Sequence, residues 1–320
     1  FSARWVRLTL IVAFLVHWTS PVRTFFWYPV LVDYWFAAAI LAGLLVVERL
    51  RAGGRTAVWL PVLCLVSALA VAMREIGLLI PLAALFSRNP LTGPVVRLRA
   101  RLRDLRAVPR LLLLPPLLAV LALVGIRSLA VVTGSYSTVR SAGYWLLNKG
   151  PLAYLLGWFI SYGPVLALPL LHRRESARYL REHQGAAVLL AGVLGVSWIG
   201  GNDTERFVTW AAPVVYVLVG IGMLAMARDR VHPLAGALLV LAQAVASRLF
   251  WVVPAEPLDA GSIPELVVFT PIGNHVSVYD LTAWDAAPAV RVIAAAEYAV
   301  LAGVLGLAVW TSRRRLRAAS

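Results

Sequence analysis

The chain has 320 residues, 61% of them hydrophobic and 14% charged, with a formal net charge of +15. An average soluble domain is roughly a quarter charged, so this composition excludes disorder and an ordinary water-soluble domain, and predicts a polytopic membrane protein. The single Cys64 excludes a disulfide framework or a Cys-based zinc site built within one chain.

In chain order, ten apolar runs read as membrane spans: 5–19, 28–47, 57–72, 76–88, 111–131, 151–171, 185–200, 207–227, 233–253 and 291–311. Most approach the ~20 residues that cross a ~30 Å hydrocarbon core. Arginine clusters punctuate them at Arg49–Arg55, Arg97–Arg110, Arg173–Arg181, Arg228–Arg230 and Arg313–Arg317. Short Arg-rich loops stay cytoplasmic. The reading that satisfies every cluster is a single all-α transmembrane bundle over 1–320 with both termini cytoplasmic. The segments 97–110 and 173–183 then lie inside, and the longer segments 132–150 and 254–290 lie outside. Nearly all the excess positive charge falls inside, which assigns it to the inner membrane surface and not to nucleic acid. Aromatic residues such as Trp27, Tyr28, Trp35, Tyr144, Trp145, Trp198 and Trp210 fall near the outer boundary. They read as an interfacial belt, or as side chains that stack on a sugar or cover a prenyl chain. Pro115-Pro116 predicts a kink in the fifth span, and the prolines at 254–271 predict an irregular outer loop.

Soluble-enzyme signatures are missing from the sequence. There is no Walker A loop and no GxSxG elbow. Gly220-Ile-Gly222-Met-Leu-Ala225 fits GxGxxA but lies inside an apolar span, where small residues serve helix packing. The five histidines are scattered, so no metal site is expected. Basic residues other than Lys149 are all arginine, a bias that a GC-rich bacterial genome produces.

Three charged features remain. Residues 57–88 must go out and return, so each leg is about 13–16 residues, or ~20–24 Å. The turn Met73-Arg74-Glu75-Ile76 is therefore held at or below the outer interface. Charges at that depth face an aqueous cavity or a polar ligand, or they are tolerated by neutralising each other. The turn Gly200-Gly201-Asn202-Asp203-Thr204-Glu205-Arg206 opens the eighth span. Asp203 and Glu205 there suit the helix dipole, or they orient Arg206 as a phosphate-binding guanidinium. Asp33, a few residues inside the second span in Tyr28-Pro29-Val30-Leu31-Val32-Asp33, asks for an arginine partner or a substrate.

The order Tyr-Pro-x3-Asp opening a helix, Arg-Glu at the turn of a short hairpin, and Asn-Asp-Thr-Glu-Arg opening a later helix resembles bacterial integral-membrane glycosyltransferases of the GT-C fold. The resemblance implies a polyprenyl-phosphate sugar as donor substrate; no cofactor is assigned, and metal dependence is left open. It implies transfer on the extracytoplasmic face of the inner (plasma) membrane, with membrane lipids as surroundings. Arg74 and Arg206 would then stabilise the leaving phosphate. Asp33, Glu75, Asp203 and Glu205 would orient those arginines or bind sugar hydroxyls. The family's catalytic acid belongs to the first outer loop, but Thr19–Trp27 contains Arg23 and no acid, so the catalytic base is left unassigned. Two other classes stay open: a permease or lipid flippase, and a non-catalytic membrane subunit. The chain opens on Phe1 and carries no signal-peptide pattern. The expectation that follows is about two more helices ahead of it, joined outside by a loop bearing the missing acid.

Overall fold

The computed structural model describes residues 3–16, 33–87, 110–129, 138–200, 204–228, 233–246 and 299–311, together with 296 and 314. Among the described residues the chain is helical, with no strand. In chain order the helices are α1 (Arg4–Val16), α2 (Asp33–Arg51) and α3 (Thr56–Met73), then, after a 3₁₀ turn Glu75–Leu78, α4 (Leu79–Ser87). Next come a 3₁₀ turn Arg110–Leu113, α5 (Leu114–Leu129), α6 (Thr138–Asn148) and α7 (Pro151–Tyr162). A 3₁₀ turn Gly163–Leu166 leads to α8 (Ala167–Leu171), α9 (Arg173–Glu182), α10 (Gln184–Ile199) and α11 (Thr204–Val208). A 3₁₀ turn Thr209–Ala211 precedes α12 (Ala212–Arg228), followed by α13 (Pro233–Ala246) and α14 (Ala299–Thr311).

Three continuous stretches are long and apolar enough to cross a membrane: Thr56–Met73, Arg110–Leu129 and Thr209–Arg228. Glu75–Ser87, Gln184–Ile199, Leu234–Ala244 and Ala299–Thr311 are apolar but shorter. Several predicted spans differ in detail. The span 151–171 is divided into α7, a 3₁₀ turn and α8, because Gly163 takes φ +69° and Pro164 follows it. Pro115 and Pro116 sit in the first turn of α5, just after its 3₁₀ lead-in. Neither proline has an N–H to donate, and the helix changes from 3₁₀ to α geometry just before them. The outer loop 254–290 lies outside the described residues.

The contacts group into two units, one of residues 32–136 with 177–196, the other of 1–31, 137–176 and 197–320. In the first, α2 and α3 form an antiparallel hairpin. Its turn ends α2 with a Schellman motif: Gly54 N–H donates to Arg49 O (2.8 Å) and Gly53 N–H to Leu50 O (3.2 Å). Gly53 has φ +82°, which an L side chain rarely adopts. Helix α3 then packs on both α2 and α5. Small residues let these backbones approach. A Cβ at Gly77 would lie 2.5 Å from Ala70 C, and one at Gly43 2.5 Å from Ile80 Cγ2. Where lipid is the solvent, such close packing replaces the hydrophobic effect as the force between helices.

In the second unit α12 is central, packed by α1 and α8. Gly222, the middle of the small-residue stretch, meets α8: its Cβ would lie 2.8 Å from Leu168 Cβ. The helix-packing reading of Gly220–Ala225 therefore holds. The break at Gly163 is closed by Gln243 of α13. Its Nε2 donates to Tyr162 O (2.9 Å), and its Oε1 accepts from Val165 N–H (3.2 Å). Within a bilayer a broken helix persists only where another group takes up the freed backbone.

Candidate functional site

The Arg74–Glu75 turn is built by the end of α3. Arg74 is extended (φ −152°, ψ 136°), which stops the helix, and its N–H still closes the last turn on Ala70 O. Gly77 N–H donates to Arg74 O at 2.8 Å and tightens the chain into the 3₁₀ turn that starts the return leg. Gly77 also lets this turn lie directly on the backbone of Ala70 and Val71.

Beside the turn, α5 ends. Arg127 in its last turn donates Nη2–H to Glu75 Oε1 at 2.6 Å. Sequence reading missed this partner, because Arg127 looked like the tail of an apolar span. The Glu75 carboxylate is bonded by Arg127 and also feels the charge of Arg74, so its neutralisation is shared between two arginines. Arg74 adds its charge from a half-buried position, with its Nε buried. Glu75 lies in the turn, outside both apolar legs. Partial burial raises its carboxyl pKa. Its backbone hydrogen bond, the bond from Arg127 and the charges of Arg127 and Arg74 more than offset that, and the group ends below its ordinary value. The side chains of Arg127 and Glu75 are 55% and 58% exposed. A pair so exposed contributes about 0–1 kcal/mol in water, so stability alone is a weak reason for its presence.

Asp33 opens α2. Because α2 and α3 are antiparallel, Asp33 sits at the same end of this unit as Arg74, Glu75 and Arg127. The structure thus brings one half of the expected site together. The other half belongs to the second unit: Asp203 lies outside the described residues, and Glu205 and Arg206 fall on α11 with side chains outside the description.

Near that second half stands a residue that sequence reading treated only as compositional. Lys149 is 6% exposed. Its Nζ donates to Ser197 O (2.7 Å) and to Thr204 Oγ1 (2.9 Å), and it lies 5.6 Å from the Trp145 ring centre. The lysine joins the end of α6, the end of α10 and the start of α11. Its partner Ser197 also joins an aromatic pair: Ser197 Oγ donates to the Tyr154 hydroxyl at 3.3 Å, and Tyr154 lies edge-on to Trp198 at 4.8 Å. The signal was available, since a lone lysine in an arginine-rich chain marks a place where a compact ammonium suits the site better than a planar fork.

Among the described residues no group of His, Cys, Asp and Glu is placed to hold a metal. Chemically, the Arg74 end offers two guanidinium groups, one of them oriented by a carboxylate. That arrangement suits an oxyanion such as a phosphate, which guanidinium forks bind in bidentate fashion. Comparison with family models, with curated proteins and with solved structures returned no match.

Proposed function

We propose that this chain is a membrane glycosyltransferase, or part of one, that transfers a sugar from a polyprenyl-phosphate donor to an acceptor on the extracytoplasmic face. The observation that carries this reading is the meeting of Arg74, Glu75 and Arg127 at one end of a unit of apolar helices, with the start of α2 at Asp33 at the same end. In the reaction the acceptor hydroxyl oxygen bonds to the sugar's anomeric carbon while the carbon–oxygen bond to the phosphate breaks. The hydroxyl proton goes to a base, which is left unassigned, and polyprenyl phosphate departs with the electron pair. Arg74 and Arg127 would meet the charge that grows on the leaving phosphate, and Glu75 would hold Arg127 in line. Arg206, with Asp203 and Glu205, is a separate candidate for a phosphate-bearing headgroup, on the second unit by itself.

A permease or flippase is the competing reading. Transport pathways place ionisable groups and broken helices near the membrane midplane. Arg74, Glu75 and Arg127 lie at helix ends, which favours the enzyme; the break at Gly163, in the middle of the predicted span 151–171, is the feature on the transporter's side. The deciding experiment incubates membranes containing the chain with a radiolabelled polyprenyl-phosphate sugar and follows label into acceptor. Arg74→Gln and Arg127→Gln should each lower the rate about 10²–10³-fold, the usual cost of removing one donor that stabilises the transition-state oxyanion, while inserting and folding normally. Wild-type rates in both variants would remove the phosphate role. Label moving across the bilayer without bond transfer would favour the transporter.

A further inference from the structure

The opposite end of the first unit carries a different charge arrangement. Here the Arg49–Gly54 turn links α2 to α3, and α9 hands over to α10 with only His183 between Glu182 and Gln184. Glu48 is the hub. It accepts from Arg51 Nε at 2.8 Å and lies 3.0 Å from His183 Nδ1. His183 in turn stacks on Tyr179 with ring centres 4.2 Å apart. Arg51 Nη1 reaches Glu182 O at 3.5 Å, which sets the turn beside the end of α9. On α9, Arg178 and Arg181 are three residues apart and so share a face. Both are exposed, as are Arg51 and Arg55. The Glu48 carboxylate is already engaged, and Glu182 is the other acid at this end among the described residues. The balance is strongly positive.

Three apolar helices, α2, α3 and α10, begin or end here. Taken as membrane helices, their ends lie at headgroup depth, and the direct handover from α9 to α10 leaves no slack to move away. We infer that Arg55, Arg178 and Arg181 form a binding surface for the phosphate groups of anionic phospholipids in the leaflet at this end, with Arg51 held in place by Glu48 and the Glu182 carbonyl. Charge complementarity and depth choose this occupant: juxtamembrane basic clusters are drawn to anionic headgroups, and exposed guanidiniums take phosphate oxygens in pairs. The inference rests on the membrane reading of the chain and is independent of sugar transfer.

The test uses the full chain purified in neutral detergent. Native mass spectrometry counts bound lipid, and thermal unfolding is followed with phosphatidylglycerol, phosphatidylcholine or inorganic phosphate added. Phosphatidylglycerol should stay bound and raise the midpoint; the other two should do neither. Arg55→Gln with Arg178→Gln leaves the Arg51–Glu48 bond and the bond from Arg181 Nε to Ala177 O (3.1 Å) in place. This double variant should bind phosphatidylglycerol about thirtyfold more weakly. Equal binding of both lipids, an unchanged affinity in the double variant, or the same shift with inorganic phosphate alone would overturn the inference. Loss of sugar transfer with lipid binding intact would count against the enzymatic reading only.

Discussion

Glu75 and Arg127 are 52 residues apart in the chain and 2.6 Å apart in space, so their pairing can be tested by exchange. Glu75→Arg sets two cations against each other and should weaken both folding and donor binding. Glu75→Arg with Arg127→Glu should recover stability, measured as the midpoint of thermal unfolding in detergent. A double variant no better than the single one would show that the pair does not act as a unit. The acidity of Glu75 adds a pH signature. Its folded-state pKa is depressed, so its contribution is present above the ordinary carboxylate range and is lost as pH falls through the lower, folded value. The midpoint difference between wild type and Glu75→Gln should therefore shrink on acidification, and it should be small throughout, since the pair is exposed. Lys149 is the contrasting case: a buried ammonium bonded to the Ser197 carbonyl and the Thr204 hydroxyl ties the end of α10 to the start of α11.

At the scale of elements, the chain relies on polar and small residues wherever a helix stops or touches another. Gln243 bridges the break between α7 and α8 with both halves of its amide. Replacing it with leucine would leave the Tyr162 carbonyl and the Val165 N–H without that partner. The cost should be about 1–3 kcal/mol, the penalty for an unsatisfied buried polar group, read as a lower unfolding midpoint. An unchanged midpoint would mean that the break is held by Gly163 and its surroundings alone. Gly77 plays the matching part at the Arg74 turn. A methyl group there meets the backbone of Ala70 and Val71, and backbone cannot rotate away as a side chain can.

For the whole molecule, orientation in the membrane is the property to measure. The arginine pattern predicts α6 on the extracytoplasmic side and α9 on the cytoplasmic side. With Cys64→Ser as background, a cysteine at Ala142 in α6 should react with an impermeant thiol reagent in intact cells. One at Arg178 in α9 should react only after the membrane is breached. The opposite labelling would put the Arg74 end on the cytoplasmic side and would remove the proposed donor leaflet.

Hydropathy and charge read directly from the sequence gave the all-helical character, the apolar stretches of α3, α5 and α12, and the hairpin turn that isolates Arg74 and Glu75, because these depend on local composition and on the length a bilayer requires. The packing role of Gly220–Ala225 was legible for the same reason, as small residues inside an apolar run have little else to do. Asp33 and the Arg74–Glu75 turn could be singled out as charges out of place, but not joined. Only the tertiary structure paired Glu75 with Arg127, bonded Lys149 to Ser197 and Thr204, closed the α7–α8 break with Gln243, and set Arg51 against the Glu182 carbonyl at the end of α9. Each of these contacts links residues far apart in the chain. Periodicity records which face of a helix is apolar; which distant helix end will stand beside it is decided by how closely the backbones pack.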